Sequence, residues 1–117
     1  MISSNLDSYS QEEVERLILG TILTILKLSH AKKLGPEHFE DTRNRAVFEV
    51  MLDLDESKQP IESARIIEVL KHRGIDRCAR YLQQLKTYNA DKVLFKNIVD
   101  VFKELYLKRK IEKIKNS

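Results

Sequence analysis

The sequence predicts an all-α fold, a compact bundle of five or six helices with a long, protruding C-terminal helix. Three observations support this class. The chain has 117 residues, enough for one hydrophobic core without disulfide bonds. Its 3 glycines and 2 prolines are too few for the many tight turns of an all-β sandwich or barrel. Apolar residues recur at helical spacing, and charged residues of both signs, 33% of the chain, separate them.

The first helix has the clearest start signal. Ser10 and Glu13 form the pattern of a capping box, in which each side chain accepts a hydrogen bond from a backbone N–H group. A stripe at helical spacing follows and predicts a central helix: Val14, Leu17, Ile18, Thr21, Ile22, Ile25 and Leu26. Gly20 inside this helix costs about 1 kcal/mol relative to Ala. We therefore expect a neighbouring helix to cross closely at Gly20.

Further helices are predicted in the middle of the chain. Asp41 is a good N-cap for a helix over roughly residues 42–56. Gly74 suits the C-terminal stop of a helix over roughly residues 63–73, where a left-handed backbone is needed. Asp76 is the predicted cap of the short helix that follows.

The last helix is expected to run from about residue 92 to 115, with Asn89 or Asp91 as its cap. Its apolar residues spread over more than one face, whereas a surface helix of a small domain needs one stripe. Either the chain's own helices cover both faces, or a second copy covers one. The residues of such a self-association face are Leu94, Phe95, Ile98, Val99, Phe102, Leu105 and Tyr106. The predicted organisation has three parts, a flexible arm at 1–9, a bundle at 10–90 and the long helix at 91–117.

The sequence carries no pattern of a catalytic or metal site. It has no phosphate-binding P-loop, because no glycine precedes Lys-Ser or Lys-Thr, and no G-x-G-x-x-G pattern. His30, His38 and His72 have no partner at nucleophile or metal-ligand spacing. The single cysteine, Cys78, is expected to be a small core residue. One cysteine cannot form an internal disulfide bond, which favours a cytoplasmic protein. The longest apolar run is too short for a membrane span.

The net charge of +3 is concentrated at the C-terminal end, where residues 103–117 carry six basic and two acidic side chains. Cations in the last turns of a helix suit its dipole. Single-strand binders interleave cations with stacking aromatics, and this segment does not. We therefore expect weak DNA binding that modest salt removes. Asp41, Arg43 and Arg45 are interpreted as an N-cap followed by surface arginines.

Four segments taken in order resemble one family. They read QEEVERLILGTIL at 11–23, FEDTRNRAVFEVMLDL at 39–54, PIESARIIEVLKHRG at 60–74 and YLQQL at 81–85. This series, followed by a long helix with a basic end, resembles the N-terminal domain of the DnaB-type replicative DNA helicase over roughly residues 10–113. Thr42 stands where the family usually has proline, which suggests a divergent member.

The resemblance implies a scaffold for DNA replication rather than a catalyst. In the family, ATP and magnesium belong to a separate motor domain, so no cofactor is expected in this chain. The N-terminal domain is a bundle followed by a helical hairpin, and the last helix here would be the first arm of that hairpin. Hairpins pair subunits into dimers, and the full protein is a hexamer arranged as a trimer of dimers.

The resemblance also implies partners. The family domain docks a DnaG-type primase, and its state influences the action of the helicase loader. Tyr81 lies in the neighbourhood that the family uses for primase docking, although a core position suits Tyr81 equally well. Two alternatives stay open. One is the helicase-binding domain of primase, which the segment at 60–74 matches less closely. The other is a small helical DNA-binding protein, although no helix combines a basic face with base-reading residues.

Overall fold

The described part of the chain folds into five α-helices and two short 3₁₀ helices. The computed structural model describes residues 9–26 and 28–115, the side chains of residues 29 and 30 excepted. The α-helices are α1 (Gln11–Ile25), α2 (Thr42–Glu56), α3 (Ser63–His72), α4 (Ala79–Leu85) and α5 (Lys92–Lys115), and the 3₁₀ helices are Ser29–Lys33 and Pro36–His38. No strand occurs in these ranges, so the all-α prediction is confirmed. The predicted arm lies outside the described residues except for residue 9.

Three of the five α-helices begin at hydrogen-bonded caps that were predicted. Ser10 and Glu13 form the reciprocal capping box of α1, with distances of 3.1 and 3.3 Å. The Asp41 carboxylate accepts two backbone N–H groups at the start of α2, both at 2.9 Å. Asp91, rather than Asn89, caps α5 by accepting a backbone N–H group at 2.8 Å.

The start of α4 differs from the prediction. Cys78, not Asp76, occupies the N-cap position, and its side chain makes no capping hydrogen bond. The Cys78 side chain is buried instead, so packing rather than a carboxylate fixes where this helix begins. Gly74 follows the prediction, because it adopts a left-handed φ of 84° just after α3.

The central helix is α1, which packs against α2, α4 and α5. Its residues Ile18 and Ile22 are fully buried. The helix α3 packs against α2 and α4. The Phe39 ring contacts the rings of Phe48 and Phe102, with centroid distances of 4.8 and 5.1 Å, and it joins the loop before α2 to α2 and α5. The core therefore lies around α1, against which α2, α4 and α5 all pack.

Gly20 marks the closest approach between α1 and the end of α4. A Cβ atom at this position would lie 2.1 Å from the carbonyl oxygen of Leu85 and 1.9 Å from that of Tyr88. One residue further on, the Thr21 hydroxyl accepts the N–H group of Ala90 at 3.0 Å, which fixes the same crossing. The predicted close approach at Gly20 is confirmed, and the neighbour is backbone rather than side chain.

We expect Gly20→Ala to destabilise the domain by about 1 to 3 kcal/mol, because the new methyl group would overlap two carbonyl oxygens. This loss outweighs the better helix propensity of alanine, about 1 kcal/mol. Thermal unfolding followed by circular dichroism should show a lower Tm. Gly35→Ala is the control, because the atoms nearest to its Cβ would belong to the flexible side chain of Glu37 rather than to the backbone. Equal stability of Gly20→Ala and wild type would contradict the close crossing.

Candidate protein interface

A buried carboxylate, that of Glu15, holds the start of α2 against α1. The residue is 1% exposed. Its oxygens accept hydrogen bonds from Gln11 Nε2 at 2.9 Å, the N–H groups of Glu40 at 2.8 Å and Asp41 at 3.4 Å, and Asn44 Nδ2 at 2.9 Å. Within the described ranges, no lysine or arginine pairs with it. Burial of a carboxylate is costly unless hydrogen bonds compensate, so these four donors are what makes the position tolerable.

Asn44 connects this carboxylate to α4. Asn44 is fully buried, and while its amide nitrogen donates to Glu15, its amide oxygen accepts the hydroxyl of Tyr81. The Tyr81 ring is half-buried, and the Arg43 guanidinium lies 4.4 Å from its centroid. The structure therefore places Tyr81 at the boundary between core and surface, with its hydroxyl bound inside the domain.

A surface notch opens beside Tyr81, between α1 and the segment that follows α4. It has a volume of about 340 Å³, and we call it the tyrosine–arginine notch; its lining residues are Arg16, Tyr81, Gln84, Leu85, Thr87 and Tyr88. The Arg16 guanidinium lies 5.8 Å from the centroid of the Tyr88 ring, and it forms an ion pair with Glu12. Tyrosine and arginine are enriched at the energetic centres of protein–protein interfaces. The notch therefore has the composition of a contact surface for another protein.

Four of the seven residues predicted for self-association lie inside the bundle. Phe95, Ile98, Val99 and Phe102 are at most 2% exposed, and Leu94, Leu105 and Tyr106 are partly buried. Helix α1 and the two 3₁₀ helices pack against α5. The seven-residue face is therefore not free to receive a second copy, because elements of the same chain cover it. Self-association itself stays a prediction, and the four buried residues are not available to form its contact surface.

Helix α5 exposes other apolar side chains. Val93 is exposed near its start, and Leu107, Ile111 and Ile114 are exposed in its last turns. The last three are spaced by four and then three residues, so they share one face of the helix. We call these three residues the α5 seam.

The C-terminal half of α5 is held to the bundle by polar contacts centred on Arg109. Its Nε pairs with Glu40 Oε1 at 2.8 Å, its Nη1 donates to Gln11 Oε1 at 2.7 Å, and its Nη2 donates to the His38 carbonyl at 3.3 Å. The Tyr106 ring contacts the His38 ring, with centroids 4.4 Å apart. The basic end of the chain is therefore anchored at one arginine rather than solvated throughout.

The other candidate residues are dispersed. His38 is buried, and its Nδ1 accepts the N–H group of Gly35 at 3.0 Å; His72 ends α3, and the side chain of His30 lies outside the described residues. Arg45 Nε and Nη2 donate to the carbonyl oxygen of Phe39, in the loop before α2, at 3.1 and 2.8 Å. Across the described ranges, no three His, Cys, Asp or Glu side chains are grouped to hold a metal ion. No described helix is long and apolar enough to cross a membrane.

Glu15 and Asn44 were not predicted from the sequence, although a signal for Glu15 exists. Glu15 lies at helical spacing with Ile18 and Ile22, so a carboxylate occupies the apolar stripe of the central helix. A charged side chain in such a stripe is almost never fully buried unless it is paired. Its donors could not be found from the sequence, because three of them lie 25 to 29 residues away.

A family model matches the sequence over most of its length. It describes the DnaB-like helicase N-terminal domain and covers residues 7–110. The chain belongs to this family. The resemblance seen in the four sequence segments is thereby confirmed. Comparison with curated proteins and with solved structures gave no match.

The matched region of this DnaB-like domain includes the whole tyrosine–arginine notch and part of the α5 seam. It spans α1 to α4 and most of α5, so the tyrosine–arginine notch and the Arg109 contacts lie inside it. Within the α5 seam, Leu107 lies inside the match, and Ile111 and Ile114 lie beyond it. The DnaB N-terminal domain is a non-catalytic domain. We therefore look for its function in contact surfaces rather than in reactive groups.

The stability of this DnaB-like domain should decline at high pH because of Tyr81. Burial raises the pKa of the Tyr81 phenol above its ordinary value of 10.0, and the Asp41 carboxylate raises it further. A raised pKa means that the folded state holds the proton more tightly, so the stabilisation is present below pH 10 and is lost as the pH rises through the folded pKa.

Denaturant unfolding over this alkaline range measures the free energy of unfolding. It should fall with pH in wild type and fall less steeply in Tyr81→Phe, which has no phenolic proton at position 81. Tyr88→Phe is the control and should keep the slope of wild type. Equal slopes in wild type and Tyr81→Phe would contradict the assignment to Tyr81.

Proposed function

We propose that this chain is the scaffold domain of a replicative DNA helicase, which associates subunits and docks primase or the helicase loader. The observation that carries the proposal is the family match over residues 7–110. The tyrosine–arginine notch and the α5 seam support it, because both have the composition of protein contact surfaces. We place ATP, magnesium and unwinding in a separate motor domain of the parent protein.

For subunit association we propose the α5 seam. Leu107, Ile111 and Ile114 are 55%, 54% and 71% exposed, and their spacing is that of a helix-pairing seam. A two-fold pairing would bury the same residues on both copies. The seam is short, and the basic last turns of α5 in the two copies would repel each other. We therefore expect a weak dimer from this chain alone. In the full protein, a trimer of such dimers would complete the hexamer.

In wild type we expect the sedimentation coefficient to rise with protein concentration, as for a dimer with a Kd of about 0.1 to 1 mM. Ile111→Glu should abolish this concentration dependence. The substitution places a carboxylate in the middle of the α5 seam, and the helical circular dichroism should not change because the side chain is exposed. Gln83→Glu adds the same charge at an exposed position of α4 and should associate like wild type.

Two further variants separate the seam from the core. Phe102→Glu and Ile22→Glu should both unfold the domain, because both side chains are 0% exposed and an unpaired charge cannot be buried cheaply. If Phe102→Glu folds but sediments only as a monomer, the association face includes the side of α5 on which Phe102 lies. Association that survives Ile111→Glu would exclude the α5 seam.

For partner docking we propose the tyrosine–arginine notch. The guanidinium groups of Arg16 and Arg43, each beside a tyrosine ring, offer two positions for carboxylates of a partner. The notch between Tyr81 and Tyr88 offers space for an apolar side chain. We propose a DnaG-type primase as the occupant, with the loader as the alternative partner. The surface of that partner should combine acidic and apolar residues.

Titration calorimetry with the helicase-binding domain of the primase from the same organism tests the docking proposal. Tyr88→Ala should weaken binding by about thirtyfold, since truncation of a central interface tyrosine costs about 2 kcal/mol or more. Tyr9→Ala removes an exposed tyrosine outside the notch and should leave the affinity unchanged. Equal affinities of all three proteins would place the docking site elsewhere.

A further inference from the structure

A row of hydrogen-bonded side chains runs through the domain from the tyrosine–arginine notch to α5. At one end the Tyr81 hydroxyl donates to Asn44 Oδ1, and Asn44 Nδ2 donates to Glu15 Oε1 at 2.9 Å. At the other end Arg109 Nη1 donates to Gln11 Oε1 at 2.7 Å, and Gln11 Nε2 donates to Glu15 Oε2 at 2.9 Å. The donors thus converge on Glu15 from both sides. Four elements of the fold, α1, α2, α4 and α5, contribute to this row.

We propose that this row couples the tyrosine–arginine notch to the C-terminal half of α5, with Glu15 and Asn44 as positioning residues. A partner that engages Tyr81 then sets how firmly α5 is held against the bundle. Linkage requires the converse, so a contact that moves α5 changes the affinity of the notch by the same factor. The biological meaning of the coupling rests on the proposed docking function, whereas the coupling itself belongs to the isolated chain.

The row can transmit a change because neither amide in it can turn over freely. Asn44 is 0% exposed, so loss of the Tyr81 hydroxyl leaves its amide oxygen buried without a donor. Turning that amide over would remove the nitrogen that Glu15 needs. The Gln11 amide is fixed in the same way, since its oxygen faces Arg109 and its nitrogen faces Glu15. A change at the Tyr81 end therefore leaves a buried group unsatisfied at Asn44.

The far end of the row is an element that can respond. The N-terminal half of α5 is fixed by buried apolar residues, among them Phe95 and Phe102. The C-terminal half is held through Arg109 and the ring contact of Tyr106. The Arg109 side chain is 32% exposed, so water can replace its partners on release. Attached and released α5 are thus two states of one segment, and such an element is what a physical coupling requires.

Hydrogen exchange of the full chain tests the coupling without any partner. In Tyr81→Phe, the amides of residues 103–113 should exchange about tenfold faster, the change expected from one lost hydrogen bond. Tyr88→Phe removes a hydroxyl from the same notch but from outside the row, and these amides should exchange as in wild type. The amides of α3 are the internal reference, because that helix contributes no residue to the row. Uniform acceleration that includes α3 would indicate global destabilisation and would overturn the proposal.

A second variant interrupts the row in its middle. Gln11→Met keeps Tyr81 and Arg109 but removes the link between Arg109 and Glu15, so residues 103–113 should again exchange about tenfold faster. The alkaline absorbance titration of Tyr81 should shift in this variant as well, because coupling acts in both directions. An unchanged α5 in either Tyr81→Phe or Gln11→Met would overturn the proposal.

These measurements and the docking titration can fail separately. Primase binding through the notch with no change in α5 exchange would leave the proposed function standing and remove the coupling. Coupled exchange in a chain that binds no primase would do the reverse.

Discussion

The burial of the Glu15 carboxylate is the constraint on which the rest of the structure depends. A carboxylate removed from water needs donors on all sides, and here two of them are backbone N–H groups of the loop before α2. That loop cannot shift without leaving a buried charge unsatisfied. Asp41 is consequently held where it caps α2, which sets the direction of that helix. The hydrogen bonds of Glu15 therefore determine how α1 and α2 are placed relative to each other, and the apolar core packs between helices in that arrangement.

The long helix α5 belongs to two different environments. Its first half is part of the core, because its buried apolar side chains face α1 and the two 3₁₀ helices, which pack against it. Its second half leaves the core, and its contacts with the bundle include those of Arg109 and of the Tyr106 ring. The subunit association that we propose needs both properties, a base fixed in the core and a segment whose direction can be adjusted. In this domain the division falls within a single helix, near Phe102.

Local features were predictable and long-range ones were not. The caps at Ser10 and Asp41 and the stop at Gly74 are properties of a few neighbouring residues, so the sequence predicts them directly. At Asp76 the prediction failed because the packing of Cys78 outweighs an available carboxylate. Periodicity showed that α5 is apolar on more than one face, but not which element covers each face. The covering 3₁₀ helices are too short to have a period. Three of the four donors to Glu15 come from distant residues, so the hydrogen bonds that support Tyr81 could not be predicted.

The crossing at Gly20 has a consequence for how far such a domain can diverge. The atoms in contact there are backbone atoms, which every residue type supplies. Gly20 and the Thr21 hydroxyl are constrained there, whereas the side chains of Leu85 and Tyr88 take no part in the contact with Gly20. Much of the surrounding sequence can therefore change while this crossing persists. A chain of this kind is recognised by the pattern of a whole family before it is recognised by likeness to any single relative.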